Sequence, residues 1–216
     1  MMRISDSVKE ILLEDSFAIE AIQRGLLNLS AYAKQIHKIV EEKTMKPVAP
    51  GTIVVTLARL TDMINTQPVF HPKVEIASLN VTPALGEVTY EKNEKNVAEL
   101  TTYSKSIIKG KEFFAVTEGL YEITIICSEN VKNAVIKYFT QNPTVTISGL
   151  VAVTVRFALD YIEIPNALYS LISALATRHI NIIEVTSTYK EFSFVIRQND
   201  MEKTVRALDA YSRKVI

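Results

Sequence analysis

The sequence predicts an α+β protein: an all-helical N-terminal domain over residues 1–68, followed by two βαββαβ units over residues 69–148 and 149–216. Three observations carry this expectation. Apolar residues recur at helical spacing from Ser5 to about Ile64. A break containing Pro68 and Pro72 then separates this stretch from runs rich in β-branched residues. Beyond the break the same order of elements occurs twice, an internal repeat of roughly 70 residues visible in element order and not in residue identity.

In the first stretch the apolar stripe runs through Val8, Ile11 and Leu12, then Phe17, Ile19, Ile22 and Leu26. Asn28 or Ser30 is placed to cap a helix over Ala31 to Lys43, and Pro50-Gly51-Thr52 opens another over Ile53 to Ile64. Asn65 to Pro72 lacks periodicity and reads as the linker. The first βαββαβ unit comprises a strand over Val74 to Leu79 and Gly86 to Tyr90, broken at Thr82-Pro83, and a helix over Asn96 to Ile108. A hairpin (Phe113 to Thr117, Tyr121 to Cys127), a helix (Glu129 to Phe139) and a strand (Thr144 to Ser148) complete it. The second comprises a strand over Leu150 to Ala158, a helix over Asn166 to Thr177, a hairpin of Ile182 to Ser187 with Glu191 to Arg197, and a helix over Met201 to Tyr211. Its last strand is missing. Either Lys214-Val215-Ile216 supplies it or the sheet takes a strand from its neighbour. Such sandwiches bury one sheet face under two helices and leave edges that invite pairing, so tandem copies or homodimers are expected.

Composition narrows the function. Of 216 residues, 48% are hydrophobic and 22% charged, which is the make-up of an ordered chain. Lys and Arg number 24 against 24 Asp and Glu, and residues 1–68 are balanced at eight and eight. Affinity for nucleic acid rests largely on phosphate neutralisation, so DNA is possible but not favoured as a partner. The single cysteine, Cys127, lies in an apolar run and reads as a small buried hydrophobe in a reducing compartment. No apolar run approaches the ~20 residues of a membrane span, and acidic residues occupy Met1 to Glu20 where a signal peptide has its apolar core. A cytoplasmic location without a membrane partner is expected. The six glycines are scattered singly, and His37, His71 and His179 fall in different elements. The sequence therefore holds no phosphate loop, helical two-His site or Gly-x-Ser-x-Gly elbow, and is expected to be neither an enzyme nor the carrier of a cofactor or metal.

The segment IPNALYSLISALATRHINIIEVTSTYKEFSFVIRQNDMEKTVRAL, residues 164–208, has a Pro before a helix, an Ile-Asn-Ile strand, a hairpin strand ending at an Asp-containing turn and a final helix rich in Lys, Ala and Leu. In this it resembles the ACT modules at the C-terminus of aspartate kinases, and the resemblance extends from about Leu150 to Ser212. The pieces also have a physical reading. Pro165 fixes φ at a helix start, Asn166 can cap it, and Leu168, Leu171, Ile172 and Leu175 form a buried stripe. His179 falls where the helix must end with positive φ, a position the family usually fills with Gly. Phe192, Phe194 and Ile196 alternate onto one sheet face.

The resemblance implies two ferredoxin-like ACT modules and an amino-acid ligand received at the turn between first strand and first helix. There exposed N–H groups and the helix dipole attract a carboxylate, and a nearby acid attracts an ammonium. The candidates are the backbone at Ile164 to Ala167, the side chains of Asp160, Glu163 and Asn166, and Asn181 from the following strand. The turn departs from the family pattern in carrying Asn166 in place of Gly, with bulky Tyr161 and Ile162. The N-terminal segment from Gly25 to Ile64 is similar to a winged-helix element, yet Arg59 is the one basic residue between Gly51 and Gln67, where a recognition helix would offer several polar groups. The expected function is that of a non-catalytic regulatory protein whose paired modules sense an amino acid. The alternatives are a structural oligomerisation module, the detached regulatory subunit of a biosynthetic enzyme, and a DNA-binding regulator with an amino-acid co-effector.

Overall fold

The computed structural model describes residues 2–107, 112–158 and 161–213, so Ile108, expected at a helix end, and Lys214-Val215-Ile216 lie outside the described residues. The chain divides into two compact units, Met1–Lys73 with Ile164–Ser170, and Val74–Glu163 with Leu171–Ile216.

Four helices build the first: α1 (Ile4–Glu14), α2 (Ser16–Gln23), α3 (Leu29–Thr44) and α4 (Pro50–Asn65), and among the described residues no strand precedes Ile76. Val8 and Leu12 of α1, Ile22 of α2, Ile36 and Val40 of α3, and Ile53, Leu57 and Ile64 of α4 share one core. Asp15 interrupts the first stripe. Its backbone is extended and its carboxylate accepts from the Ala18 N–H at 3.0 Å, capping α2. The break shifts the helical phase, so Phe17, in register by simple spacing, is 79% exposed, while Leu26 is 66% exposed because it lies beyond the end of α2, after Gly25 at φ 68°. Asn28 caps α3 through a 3.0 Å bond from the Ala31 N–H, and Pro50 sits at the start of α4. The loop between them is tied back by Glu41, whose carboxylate accepts from the Val48 N–H at 2.9 Å.

The second unit is one six-stranded antiparallel sheet. Its elements in chain order are β1 (Ile76–Glu91), α5 (Glu94–Ile107), β2 (Phe114–Glu118), β3 (Glu122–Ser128), α6 (Glu129–Tyr138), β4 (Val145–Phe157), α7 (Ala167–Ala176), β5 (Ile182–Thr188), β6 (Glu191–Arg197) and α8 (Met201–Arg213). The spatial order is β2-β3-β1-β4-β6-β5. The two short runs expected around Thr82-Pro83 are one strand, β1, with a bulge there and Ala84 at φ 56°. Likewise β4 runs through Gly149, at φ 68°, without interruption.

These two long strands are each used twice. The later half of β1, Leu85 to Glu91, pairs with β3, and its earlier half, Ile76 to Thr82, pairs with β4 from Phe157 to Ala152. That earlier half fills the place beside β4 for which residues after Tyr211 supply no strand among the described ones.

Strand register assigns the faces. Val88 and Tyr90 of β1, with Ile123, Ile125 and Cys127 of β3, pack under Leu100 of α5 and Val135 and Phe139 of α6. Tyr90 stacks on Phe139 with ring centroids 4.3 Å apart. Val151, Val153, Val155 and Phe157 continue this face along β4, paired with Ile196, Phe194 and Phe192 of β6, and α8 lies against it. The opposite face has its own buried cluster, to which, among the described residues, no helix residue belongs. On it the sheet curls so that Leu85, Ile126, Leu150, Ala152 and Val195, from four strands, form a second apolar cluster.

Gly86 lies on the helix side, opposite Cys127 and beneath Lys132 of α6. A Cβ there would stand 2.6 Å from Lys132 Cδ and 3.0 Å from the Ile147 carbonyl oxygen. Gly86→Ala is therefore expected to lower stability by about 1–3 kcal/mol through overpacking, read as a lower urea midpoint with an unchanged m-value.

Candidate functional site

The turn between β4 and α7 is held at its start by one aromatic side chain. Tyr161 opens the 3-10 turn Tyr161–Glu163, packs against Phe157 at 4.1 Å and Phe192 at 4.6 Å between centroids, and donates its hydroxyl to the Thr188 carbonyl at 2.7 Å. Burial pushes its phenol pKa up. Tyr161 is thus an anchor for the turn, while Ile162 beside it is 60% exposed.

Asp160 lies outside the described residues. Glu163 is exposed at the end of the 3-10 turn, Ile164 is half-buried, and Ala167 is buried as the first residue of α7. Asn166 is exposed and adopts φ 65°, the left-handed conformation that glycine takes freely. Asn is among the few other residues that tolerate it, so this position keeps the backbone shape that the Gly-bearing family turn has. The Asn166 carbonyl accepts the first helical bond, from Ser170 N–H at 2.9 Å, and the Ala167 N–H is taken within the turn by the Ile164 carbonyl at 3.3 Å, at the positive end of α7.

The predicted residues are divided between the two units. Ile164, Asn166 and Ala167 belong with the helical unit, and Glu163 and Asn181 with the sheet-bearing unit. Asn181 is exposed just before β5. It follows the end of α7, where His179 at φ 53° donates its N–H to Ala176 and Ile180 reaches back to Leu175. That pair of bonds is a Schellman ending, in which His179 serves as the cap through its backbone and not through its ring.

A second polar constellation, invisible to motif reading, sits at the β4 bend. Lys132 on α6 is 3% exposed, and its ammonium meets Glu129 at 2.6 Å and the Ser148 hydroxyl. Glu129 also accepts from the Gly149 N–H at 3.0 Å. Burial alone would raise the Glu129 pKa, but the bonds from Lys132, Gly149 and Ser148 and the charge of Lys132 outweigh it and hold the carboxyl below the usual range. Cys127 is buried nearby, and desolvation pushes its thiol up to about 12, which makes it unreactive. Among the described residues no three His, Cys, Asp or Glu side chains are arranged to hold a metal ion, and no helix is long and apolar enough to cross a membrane.

With this geometry established, comparison with solved structures is informative where sequence is silent: no family model and no curated protein matches the chain. It is similar to the aspartate kinase of Clostridium acetobutylicum with TM-score 0.54 and 12% identity, over 66% of this chain and 37% of that one. It is similar to the regulatory subunit of aspartate kinase from Thermus thermophilus, in its ligand-free form, with TM-score 0.52 and 9% identity, over 63% of this chain and 97% of that one. The fold is ACT-like. The aspartate kinase of Synechocystis gives the same result, with TM-score 0.52 and 14% identity over 64% of this chain and 27% of that kinase. This chain thus spans little more than a third of the Clostridium enzyme, and nearly the whole of the Thermus regulatory subunit.

Glu129→Gln leaves the buried Lys132 ammonium without its counter-charge and is expected to cost about 3 kcal/mol at neutral pH. Because the folded-state pKa of Glu129 is depressed, its contribution is present above the unfolded value of 4.5 and is lost as pH falls through the lower folded value. Urea titrations of wild type and variant from pH 7 to pH 3 should therefore converge at the acid end. A gap that stays constant would assign the stability to packing.

Proposed function

We propose that the chain is a non-catalytic regulatory protein that senses a free amino acid through two paired ACT-like modules, one of them interleaved with the other through β1 and β4. The observation that carries this reading is the turn at Asn166. It has a positive-φ backbone, an exposed carboxamide and the N-terminus of α7 behind it, which together suit a carboxylate, with the exposed acid Glu163 beside it for the ammonium. Likeness in fold to aspartate-kinase regulatory regions agrees with such a role. In this reading the ligand binds Ile164 to Ala167, Asp160, Glu163, Asn166 and Asn181. It acts by preferring one of two arrangements of the modules, since a ligand shifts an equilibrium only through unequal affinity for its two states.

The match over nearly all of a free-standing regulatory subunit favours one particular form of this role, a detached subunit that works on a separate catalytic chain in the cytoplasm. Edge strands β2 and β5, with Val116 and Val185 partly exposed, suit pairing into a homodimer. The N-terminal winged-helix-like domain then packs or dimerises in place of reading bases. Outward-facing positions of α4 offer Thr52, Val55, Ala58, Arg59 and Asp62, a set with one cation and little to offer a base edge.

Thermal-shift measurements with each of the twenty amino acids test the proposal. A ligand at a hundredfold its dissociation constant stabilises by about 2.7 kcal/mol, and at least one amino acid should raise Tm visibly. Asn166→Gly preserves the left-handed turn while removing the carboxamide, so apo stability should hold and the shift should shrink. Asp160→Ala should weaken it likewise. If no amino acid moves Tm in the wild-type chain, sensing is lost as a function.

A further inference from the structure

Most of the sheet face that carries Leu85 and Leu150 is explained by its apolar cluster, but one residue on it is not. Glu87 lies in β1 between Leu85 and Thr89 and shares their face, across from Ile126 of β3 and Ile147 of β4. It is 5% exposed, and its Oε2 has no hydrogen-bond partner among the described residues. A buried acceptor left unmet costs about 1–3 kcal/mol, and native proteins keep few of them without a use.

What surrounds it is polar in a patterned way. Arg197, at the end of β6, is paired with Leu150, which is itself paired with Leu85, so the guanidinium belongs to the same face one row away. Its Nη1 lies 3.5 Å from the Ser148 carbonyl. Glu184 of β5 pairs with Val195, two residues before Arg197, and occupies that face too. Burial raises the Glu87 pKa, Glu184 adds to this by repulsion, and Arg197 opposes it, so both charges reach Glu87. Hydroxyl pairs border the group: Thr89 with Thr124 at 3.0 Å, and Thr154 with Ser193 at 2.7 Å.

We propose that Glu87, Glu184 and Arg197 form a second ligand site on the sheet face of Leu85 and Leu150, which takes the ammonium of a free amino acid on Glu87 and Glu184 and its carboxylate on Arg197. The fit is one of chemistry. An unmet carboxylate oxygen in apolar surroundings calls for a cationic donor, a guanidinium close by calls for a carboxylate, and a free α-amino acid carries both groups within reach of each other. The clustered Leu85, Leu150, Ala152 and Val195 supply an apolar floor for its side chain. This inference rests on the sensing role proposed above and adds a site to it, remote in sequence from the Asn166 turn.

The test uses the full-length chain labelled with ¹³C at glutamate carboxyls. The Glu87 resonance, assigned by its loss in Glu87→Gln, should titrate above the ordinary carboxylate range in the free protein, and its midpoint should fall when the recognised amino acid is added. Arg197→Met should weaken that amino acid about tenfold or more, since it removes a charge-assisted pair. A Glu87 midpoint unmoved by all twenty amino acids overturns the proposal and leaves the orphan oxygen to water. Thermal shifts separate this site from the turn. A shift kept in Glu87→Gln and lost in Asn166→Gly overturns the second site and upholds the first. A shift lost in Glu87→Gln and kept in Asn166→Gly upholds the second and removes the turn. Where Glu87→Gln does not fold, Arg197→Met decides in its place, because a wild-type shift that survives this substitution at full strength overturns the second site.

Discussion

The hydrogen-bond ladder between β1 and β4 runs from Ile76 opposite Phe157 to Thr89 opposite Val145, and it forms the middle of the sheet. Each strand has a bend in a left-handed backbone, at Ala84 in β1 and at Gly149 in β4. The two bends are close to each other across the ladder, since Leu85 pairs with Leu150. They add local bend to a ladder that twists in any case, at the place where residues from four strands gather into one cluster. The Glu129–Lys132 pair is fixed at this same place, with Gly149 donating to Glu129 and the Lys132 stem crossing the space that Gly86 leaves vacant. Curl, bulge, glycine and buried ion pair are one construction.

Much of the fold can be read from residues alone. Period-two and period-3.6 patterns locate the helices and strands of the sheet-bearing unit to within a few residues, because each element buries one well-defined face. His179 as a helix end follows from the steric demand of positive φ. Connectivity across gaps is harder. Thr82-Pro83 and Gly149 look like breaks in one dimension, and both are bulges inside continuous strands; the partner strand that bridges them is far away in sequence. In the helical unit, spacing places Phe17 in the stripe because it carries one phase through Asp15, where a cap resets that phase, and it places Leu26 there because it runs past Gly25, where α2 has already ended.

The candidate sites divide in the same way. Asn166 is reachable because a turn, a Pro and a helix start are local. Glu87 and Lys132 are not, since a charged residue within a strand or an amphipathic helix is ordinarily solvated, and only three-dimensional neighbours decide otherwise. A single acid inside the run Gly86 to Tyr90 is the available signal. By period-two alternation Glu87 belongs to the face opposite Val88, and a polar residue is what a solvated face would carry.

Interleaving has a consequence for how the protein comes to be made. The stretch Ile76–Thr82 leaves the ribosome long before Ala152–Phe157, the segment it pairs with, and the whole of α5, β2, β3 and α6 is synthesised in between. During that interval its apolar positions Ile76, Leu79 and Val81 have no β4 to lie against. Closing a loop of this length carries an entropic cost that only the finished ladder repays, so the earlier-made half of the sheet can form around β3 first, and the later half can be completed only by reaching back to a strand already waiting. The two halves are therefore inseparable by cutting the chain between them: a fragment starting at Gly149 would carry β4, β5 and β6 but leave one side of β4 bare, an open edge of the kind that draws chains together.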